Sequence, residues 1–389
     1  MTALLEGIEF HVVEPARRSG RSVRDFTIRD AAPSDNGGLI NLAAACAMKG
    51  DISLRIDRRP DFFALNRLEG DRWQVGVAES GGGVVGCIAV SERRAFVNGV
   101  EARTAYVGDL KVHPAHRDTR IADALSHYAD RACEDLPAAA PLIITVLAGN
   151  TAMERRLPGP RGVAAFRKLA TIRTHSVPIL WRRSRQASTI RIESARWSDL
   201  DEMVKLWQQV APRRQLAPAF TSASLSKWIS TAPGLDISGY RLARSANGDL
   251  LGFFAIWDQR SFKQLTVVGY SPRMLAARAG FNALAHLAGG ERLPSAGSPL
   301  NCAGAVNVCV PESRPDVLRA LILAAYDELR GNRFSFMNVG LDVRDPLTVA
   351  LDGLLAQPTD VNAYVMTTRR GVLPELLDSR PLHYEIALV

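Results

Sequence analysis

Tyr106-Val-Gly-Asp-Leu-Lys-Val-His-Pro-Ala-His-Arg-Asp-Thr-Arg-Ile-Ala-Asp-Ala-Leu-Ser-His-Tyr128 is the stretch on which the reading of this chain turns. A strand runs there through a tight basic turn straight into an amphipathic helix, with Ile121, Ala124, Leu125, Tyr128 and Ala132 at helical spacing. This is an anion-binding layout. Backbone N–H groups of such a turn, with the positive end of the helix behind them, offer several donors to a phosphate oxygen without needing a particular side chain.

Working outward, the chain repeats itself. Thr27-Ile28-Arg29 followed by Ser34-Asp35 recurs as Thr189-Ile190-Arg191 followed by Ser198-Asp199, a short strand leading into a helix with an Asp near its cap. Gly86-Cys-Ile-Ala89-Val90-Ser-Glu92-Arg-Arg94-Ala-Phe96 aligns without a gap on Gly252-Phe-Phe-Ala255-Ile256-Trp-Asp258-Gln-Arg260-Ser-Phe262. Each follows a strand and a Gly-containing turn, so both halves are expected to carry a β-hairpin. Strand, helix and strand then follow over 104–112, 119–136 and 142–147, and again over 305–310, 315–329 and 334–341.

At 389 residues two domains are the default expectation. Hydrophobic content of 47% and charged content of 23% argue against disorder, and no apolar run reaches the roughly 20 residues that span a bilayer. Acids interrupt residues 1–10 before a signal-peptide core forms, so a reducing cytoplasm is the simplest reading. The five cysteines lack metal-ligand spacing and are expected to be buried thiols, with no metal site. The net charge of +8 has no Lys/Arg block or aromatic interleaving, which argues against nucleic acid. Lys plus Arg exceed Asp plus Glu by 27 against 21 over residues 1–185 and by 21 against 19 beyond, so the excess lies with the anion-binding turn.

The segment resembles the acyl-coenzyme A site of the GNAT superfamily of N-acyltransferases. Leu110-Lys111-Val112-His113-Pro114 matches the strand end Leu-x-Val-x-Pro, and Arg117-Asp118-Thr119-Arg120-Ile121-Ala122 matches Arg-x-x-Gly-x-Gly/Ala, with Arg120 standing where the family has glycine. The resemblance implies an α/β (α+β layered) chain of two tandem GNAT folds, each a mixed, mainly antiparallel sheet flanked by helices. Residues 1–25 would be an N-terminal extension, 26–184 a GNAT domain with the acyl-CoA site, 185–189 a linker, and 190–389 a second, degenerate GNAT domain with an insertion at about 271–300 that carries an extra helix.

By the same resemblance acyl-CoA, acetyl-CoA or another, lies in a split between the fourth and fifth strands. The Leu110 N–H faces the thioester carbonyl, Lys111 and Val112 run beside the pantetheine arm, and Arg117, Asp118, Thr119, Arg120, Ile121 and Ala122 hold the pyrophosphate, with Asn150 opening the segment after the next strand. Arg120 either blocks the turn or pairs with a phosphate. Asp109 is the first candidate base and Tyr106 the second, against a structural reading of Asp109 as the partner of Lys111. Phe166 stands where the family places a tyrosine acid on a helix. His113 and His116 are read as solvated, and Trp207, Trp228 and Trp257 either line an acceptor cleft or form core. Glu312 to Asp316 replace the phosphate turn in the second half. The expected activity is transfer of acetyl from acetyl-CoA to a small-molecule or peptide amine, the rival a non-catalytic acyl-CoA-binding or scaffold protein. Neither membrane nor nucleic acid is expected as a partner, and a homodimer stays open.

Overall fold

Asn98-Gly99, with φ of 51° and 85°, makes the two-residue left-handed turn that folds a long hairpin back on itself. The computed structural model describes residues 25–117, 120–157, 166–181, 189–366 and 376–388. The first half runs β1 (Thr27–Asp30), α1 (Asn36–Ala45), β2 (Ile52–Asp57), α2 (Asn66–Glu69), β3 (Arg72–Ser80), β4 (Gly83–Val97), β5 (Val100–Val112), α3 (Ile121–Ala132), β6 (Leu142–Leu147), α4 (Thr151–Glu154) and β7 (Phe166–Pro178). The second runs β8 (Arg191–Ser194), α5 (Leu200–Val210), α6 (Ser222–Thr231), β9 (Tyr240–Arg244), β10 (Leu250–Asp258), β11 (Gln264–Tyr270), α7 (Pro272–Ala288), β12 (Pro299–Leu300), β13 (Cys302–Cys309), α8 (Pro315–Leu329), β14 (Phe336–Asp342) and β15 (Gln357–Met366).

Twelve strands form one sheet in the order β1-β3-β4-β5-β6-β15-β7-β14-β13-β10-β9-β8. Read from either edge, the order is the same fold met twice, mainly antiparallel, with parallel pairing at β5–β6 and at β13–β14. At the centre the copies exchange strands. β7 pairs with β14 from Pro178↔Phe336 to Ile172↔Asp342, while β15 lies between β6 and β7. Each copy therefore lends its last strand to the other.

Phe166 opens β7 and does not stand on a helix, unlike the position the resemblance assigned to it. The cause is the alternation that follows: Ala170, Ile172 and Thr174 are buried while Arg173 points out to an ion pair with Asp360 of β15.

The helices are seated by matching glycines. A side chain at Gly86 would meet Ile121 Cγ2 at 2.9 Å, and one at Gly252 would meet Val310 Cγ2 at 2.9 Å and Val317 Cγ1 at 3.0 Å. The missing side chain lets α3 and α8 press onto β4 and β10, with Ile121, Leu125, Val317, Leu318 and Leu321 at 0–1% exposure. The repeat seen in the sequence thus repeats a packing solution. The helix expected in the insertion is α7. It is entered through Ser271, whose N–H and hydroxyl donate to Asp51 at 2.8 and 2.6 Å, and the preceding β11 pairs with β2 in a separate three-stranded sheet. Trp207, Trp228 and Trp257 are core, at 2%, 9% and 0% exposure. Cys87, Cys133 and Cys309 are buried free thiols. No helix among the described residues is long and apolar enough to cross a membrane.

Candidate functional site

The β4–β5 ladder slips at one point. Cys87 faces Lys111 but Ala89 faces Gly108, so Asp109 and Leu110 together oppose Ile88. That is a bulge, and Asp109 takes its left-handed corner at φ 52°. On the other side of β5, pairing with β6 stops at Val107↔Ile144, after which β6 continues against β15. Leu110, Lys111 and Val112 therefore lie beyond the last parallel pair, where the two strands have parted.

The bulge carries a buried charge cluster. Arg58 Nη1 donates to Asp109 Oδ2 at 2.7 Å and Lys111 Nζ is paired with Oδ1, with side-chain exposures of 5%, 15% and 20% for Arg58, Asp109 and Lys111. Arg58 is itself fixed, donating to the Phe62 carbonyl at 2.5 Å with its guanidinium 4.3 Å above the Phe62 ring. Burial pushes the Asp109 carboxyl up, but the charges and hydrogen bonds of Lys111 and Arg58 outweigh it and hold the group far below the usual carboxylate range. Lys111 is raised, because the Asp109 charge overcomes its own burial.

Beside this cluster a cavity of about 40 Å³, room for a few waters, opens between the copies. Glu69, Arg93, Tyr106, His383, Tyr384 and Glu385 line it. The Tyr106 hydroxyl is 2.7 Å from Thr145 Oγ1, which is 2.9 Å from the Tyr384 hydroxyl. Burial raises both phenols, Tyr384 to about 12 and Tyr106 well above its ordinary value, so both keep their protons at neutral pH. Burial, and next the charge of Asp109, push the Glu69 carboxyl up to about 8. Burial, and next the charge of Arg58, bring Lys263 down to about 7; its Nζ donates to the Ala387 carbonyl at 3.0 Å.

At the mouth of the split, His113 N donates to the Val85 carbonyl at 2.8 Å, and the His113 ring accepts from Ala115 N at 3.2 Å to close a single turn over Pro114–His116. His113 is thus a turn-former. Arg117 and Arg120 are exposed, and Arg120 is the N-cap residue of α3, with φ −77°. That backbone angle does not require glycine. Ile121 is buried under Gly86, so its side chain belongs to the core. Ala122 begins the exposed face of α3 and its carbonyl accepts from Ser126 Oγ. Asp118 and Thr119 lie outside the described residues. Asn150 caps α4, its Oδ1 accepting from Met153 N at 3.2 Å.

The second copy has the same bulge. Phe253 faces Cys309 and Ala255 faces Val306, and Asn307 sits at the corner with φ 50°. Pairing of β13 with β14 stops at Gly304↔Asn338. The residues that fill the opening come from the C-terminal segment. Asn307 N and Nδ2 donate to Glu385 Oε1 at 2.9 and 3.0 Å, His383 Nε2 lies 2.9 Å from the same oxygen, and side chains at Gly304 and Gly340 would meet Ala387 and Ile386 at 3.3 and 3.1 Å.

Residues 42–156 match the acetyltransferase (GNAT) family. This stretch is a GNAT domain. Its match spans the bulge, the turn and α3, the parts on which the site rests. No curated protein matches the chain. Among solved structures, Saccharomyces cerevisiae N-myristoyltransferase with bound myristoyl-CoA is similar over 97% of this chain and 94% of its own, with 12% identity and a TM-score of 0.61. The same yeast enzyme with bound myristoyl-CoA and inhibitors covers 90% of this chain and 82% of its own at 13% identity, with a TM-score of 0.62. At such identities the likeness establishes the fold, two tandem GNAT folds sharing one sheet.

Sequence reasoning found the bulge residue and the turn but not Arg58, Glu69, Lys263 or Tyr384. Nothing local marks them: Arg58 is 51 residues from Asp109, and Tyr384 is 278 from Tyr106.

Proposed function

We propose that this chain transfers an acyl group, acetyl from acetyl-CoA, to an amine of a small molecule or peptide, in the split of its GNAT domain. The observation that carries the reading is the bulge at Asp109 where β5 leaves β6 and runs into the head of α3. A bulge there turns a backbone N–H, that of Leu110, toward a thioester carbonyl, and the parted strand edge along Lys111 and Val112 takes the pantetheine arm by strand-like pairing. The turn from Arg117 to Ala122 and the positive end of α3 receive the pyrophosphate, with Arg120 as a charged partner.

In this reading Asp109 serves as a fixed negative charge beside the reacting centre, since its two cations keep it ionised. Tyr106 serves as a hydrogen-bonding group, because its phenol stays protonated. The acceptor nitrogen enters from the cavity between the copies and reaches the carbonyl at the apex of the split.

Release of free thiol from acetyl-CoA with a panel of amines tests the proposal. Amine-dependent release supports it. Tight CoA binding with no release for any amine would instead favour a non-catalytic acyl-CoA-binding scaffold, the reading that the absence of the family's tyrosine at Phe166 keeps in view.

A further inference from the structure

Acyl transfer to an amine requires a group that removes a proton from the acceptor, and neither Asp109 nor Tyr106 is suited to accept one. Resting on the transfer reading above, we infer that Glu69 is the base that takes the proton from the acceptor ammonium, inside the cavity between the two copies.

Geometry carries this first. Glu69 is the last residue of α2, and Gly70 behind it lies so close to β4 that a side chain there would fall 2.4 Å from the Glu92 carbonyl. The end of α2 is thereby pinned to the strand that carries the other side of the bulge, and the Glu69 side chain opens into the cavity shared with Tyr106 and Tyr384. The acidic groups around it differ in one respect. Asp109 is held by two cations, and Glu385 accepts from Asn307 and lies against His383. Among the described residues, nothing donates a hydrogen bond or forms an ion pair to the Glu69 carboxylate, so its lone pairs remain for a ligand.

The groups that act on Glu69 come from every wall. Asp109 repels its charge, and Arg58, Arg93 and Lys111 favour it less strongly than burial and Asp109 oppose it. Lys263, Tyr106 and Tyr384 also act on it, and His383 and Glu385 line the same cavity. A carboxyl raised to about 8 is a stronger base than an ordinary one, near the strength that suits proton removal close to neutral pH. Lys263, the other group brought near neutrality, is engaged with the Ala387 carbonyl.

The step balances as follows. Glu69 as carboxylate takes one proton from R–NH3+, leaving R–NH2. The nitrogen lone pair attacks the thioester carbon, forming the C–N bond while the carbonyl electrons move to oxygen. Collapse re-forms the carbonyl, breaks the C–S bond and sends the electron pair to sulfur, and the second nitrogen proton ends on the thiolate. The products are the amide, CoA thiol and protonated Glu69, which returns its proton to water.

The test uses the full chain with acetyl-CoA and three probes: a primary alkylamine, a diamine and a short peptide with a free N-terminus. For whichever probe turns over, Glu69→Gln is expected to lower kcat/KM at least 100-fold at pH 8 while CoA affinity is retained and Tm does not fall below that of wild type. Glu69→Asp is expected to restore part of the rate. The wild-type profile should show an acidic limb near pH 8 that persists with a second acceptor of different amine pKa and is missing from the residual activity of Glu69→Gln. Activity of Glu69→Gln within threefold of wild type, or an unchanged limb, overturns the inference and leaves the transfer reading standing. A wild-type chain that acylates none of the three overturns both.

Discussion

Asp109 and Asn307 occupy the same corner of the two copies, each the left-handed residue of a bulge beside a parting pair of parallel strands, with φ of 52° and 50°. Their side chains are used in opposite ways. Asp109 gathers two cations at the apex of its split, whereas Asn307 binds the Glu385 carboxylate that helps to fill its own. Small polar residues are the ones that accept this backbone angle at little cost, so the pair preserves the geometry while the chemistry diverges.

That relationship makes Asp109→Asn a clean probe of charge, because asparagine already holds the equivalent corner in the second copy. Removing the charge leaves Arg58 and Lys111 buried without their counter-ion, a loss of about 3–5 kcal/mol at neutral pH. The Asp109 carboxyl is depressed in the folded state, so its contribution is present above the ordinary aspartate value of 3.8 and lost only as pH falls below it. Urea melts at pH 7 and pH 3 should therefore show a large gap between variant and wild type at the first and a smaller gap at the second. Equal stability at pH 7 would mean that the cluster is not coupled to folding.

CoA is expected to bind at one site per chain. The second split already holds Glu385, Ile386 and Ala387, and at the head of α8 the capping Arg314, standing where the first copy has Arg120, is tied up in an ion pair with Asp316, with Glu312 two residues before it. A cation already paired, with a further carboxylate beside it, offers a polyphosphate less than the exposed Arg117 and Arg120 do. Calorimetry with CoA on the full chain should give a stoichiometry near one, and two equivalent sites would contradict the asymmetry.

Much of this was legible in the sequence, for stated physical reasons. The duplicated Gly86 and Gly252 segments announced two hairpins, and β6 and α8 follow their patterns of burial to the residue. The bulge was not legible in the residue pattern, since alternation in 104–112 gives no warning of a left-handed Asp109. The exchange of β7 and β15 was not legible, because alternation in 170–177 specifies a strand and says nothing about which strands flank it. The cavity was hidden for the same reason: Glu69, Arg93, Tyr106 and Tyr384 come together only through that lateral pairing and the return of the C-terminal segment.

Arg120→Gly restores the family's turn residue yet is expected to weaken CoA binding. Arg120 is exposed at the head of α3 with φ −77°, so glycine's conformational freedom brings no advantage there and a cation facing the polyphosphate is lost. A direct charge-assisted contact contributes about 1.5–3 kcal/mol, or roughly a 10- to 150-fold change in Kd. The loss should shrink in high salt. Tighter binding by the variant would identify the arginine as an obstruction.

Glu69 makes a prediction about folding that is independent of any acceptor. Its carboxyl is raised from an ordinary 4.5 to about 8. Between those values the folded chain holds a proton that the unfolded chain has released, so stability falls as pH rises through that window and is flat above it. Glu69→Gln, which keeps the shape of the side chain and cannot titrate, escapes that loss. Its Tm relative to wild type should climb from pH 5 to pH 8 and then level off, with the variant the more stable protein at pH 9. The opposite trend, with the variant losing ground as pH rises, would mean that Glu69 folds as a stabilised carboxylate already satisfied by Arg58, Arg93 or Lys111. Such a group would be too weak a base to take a proton from an amine.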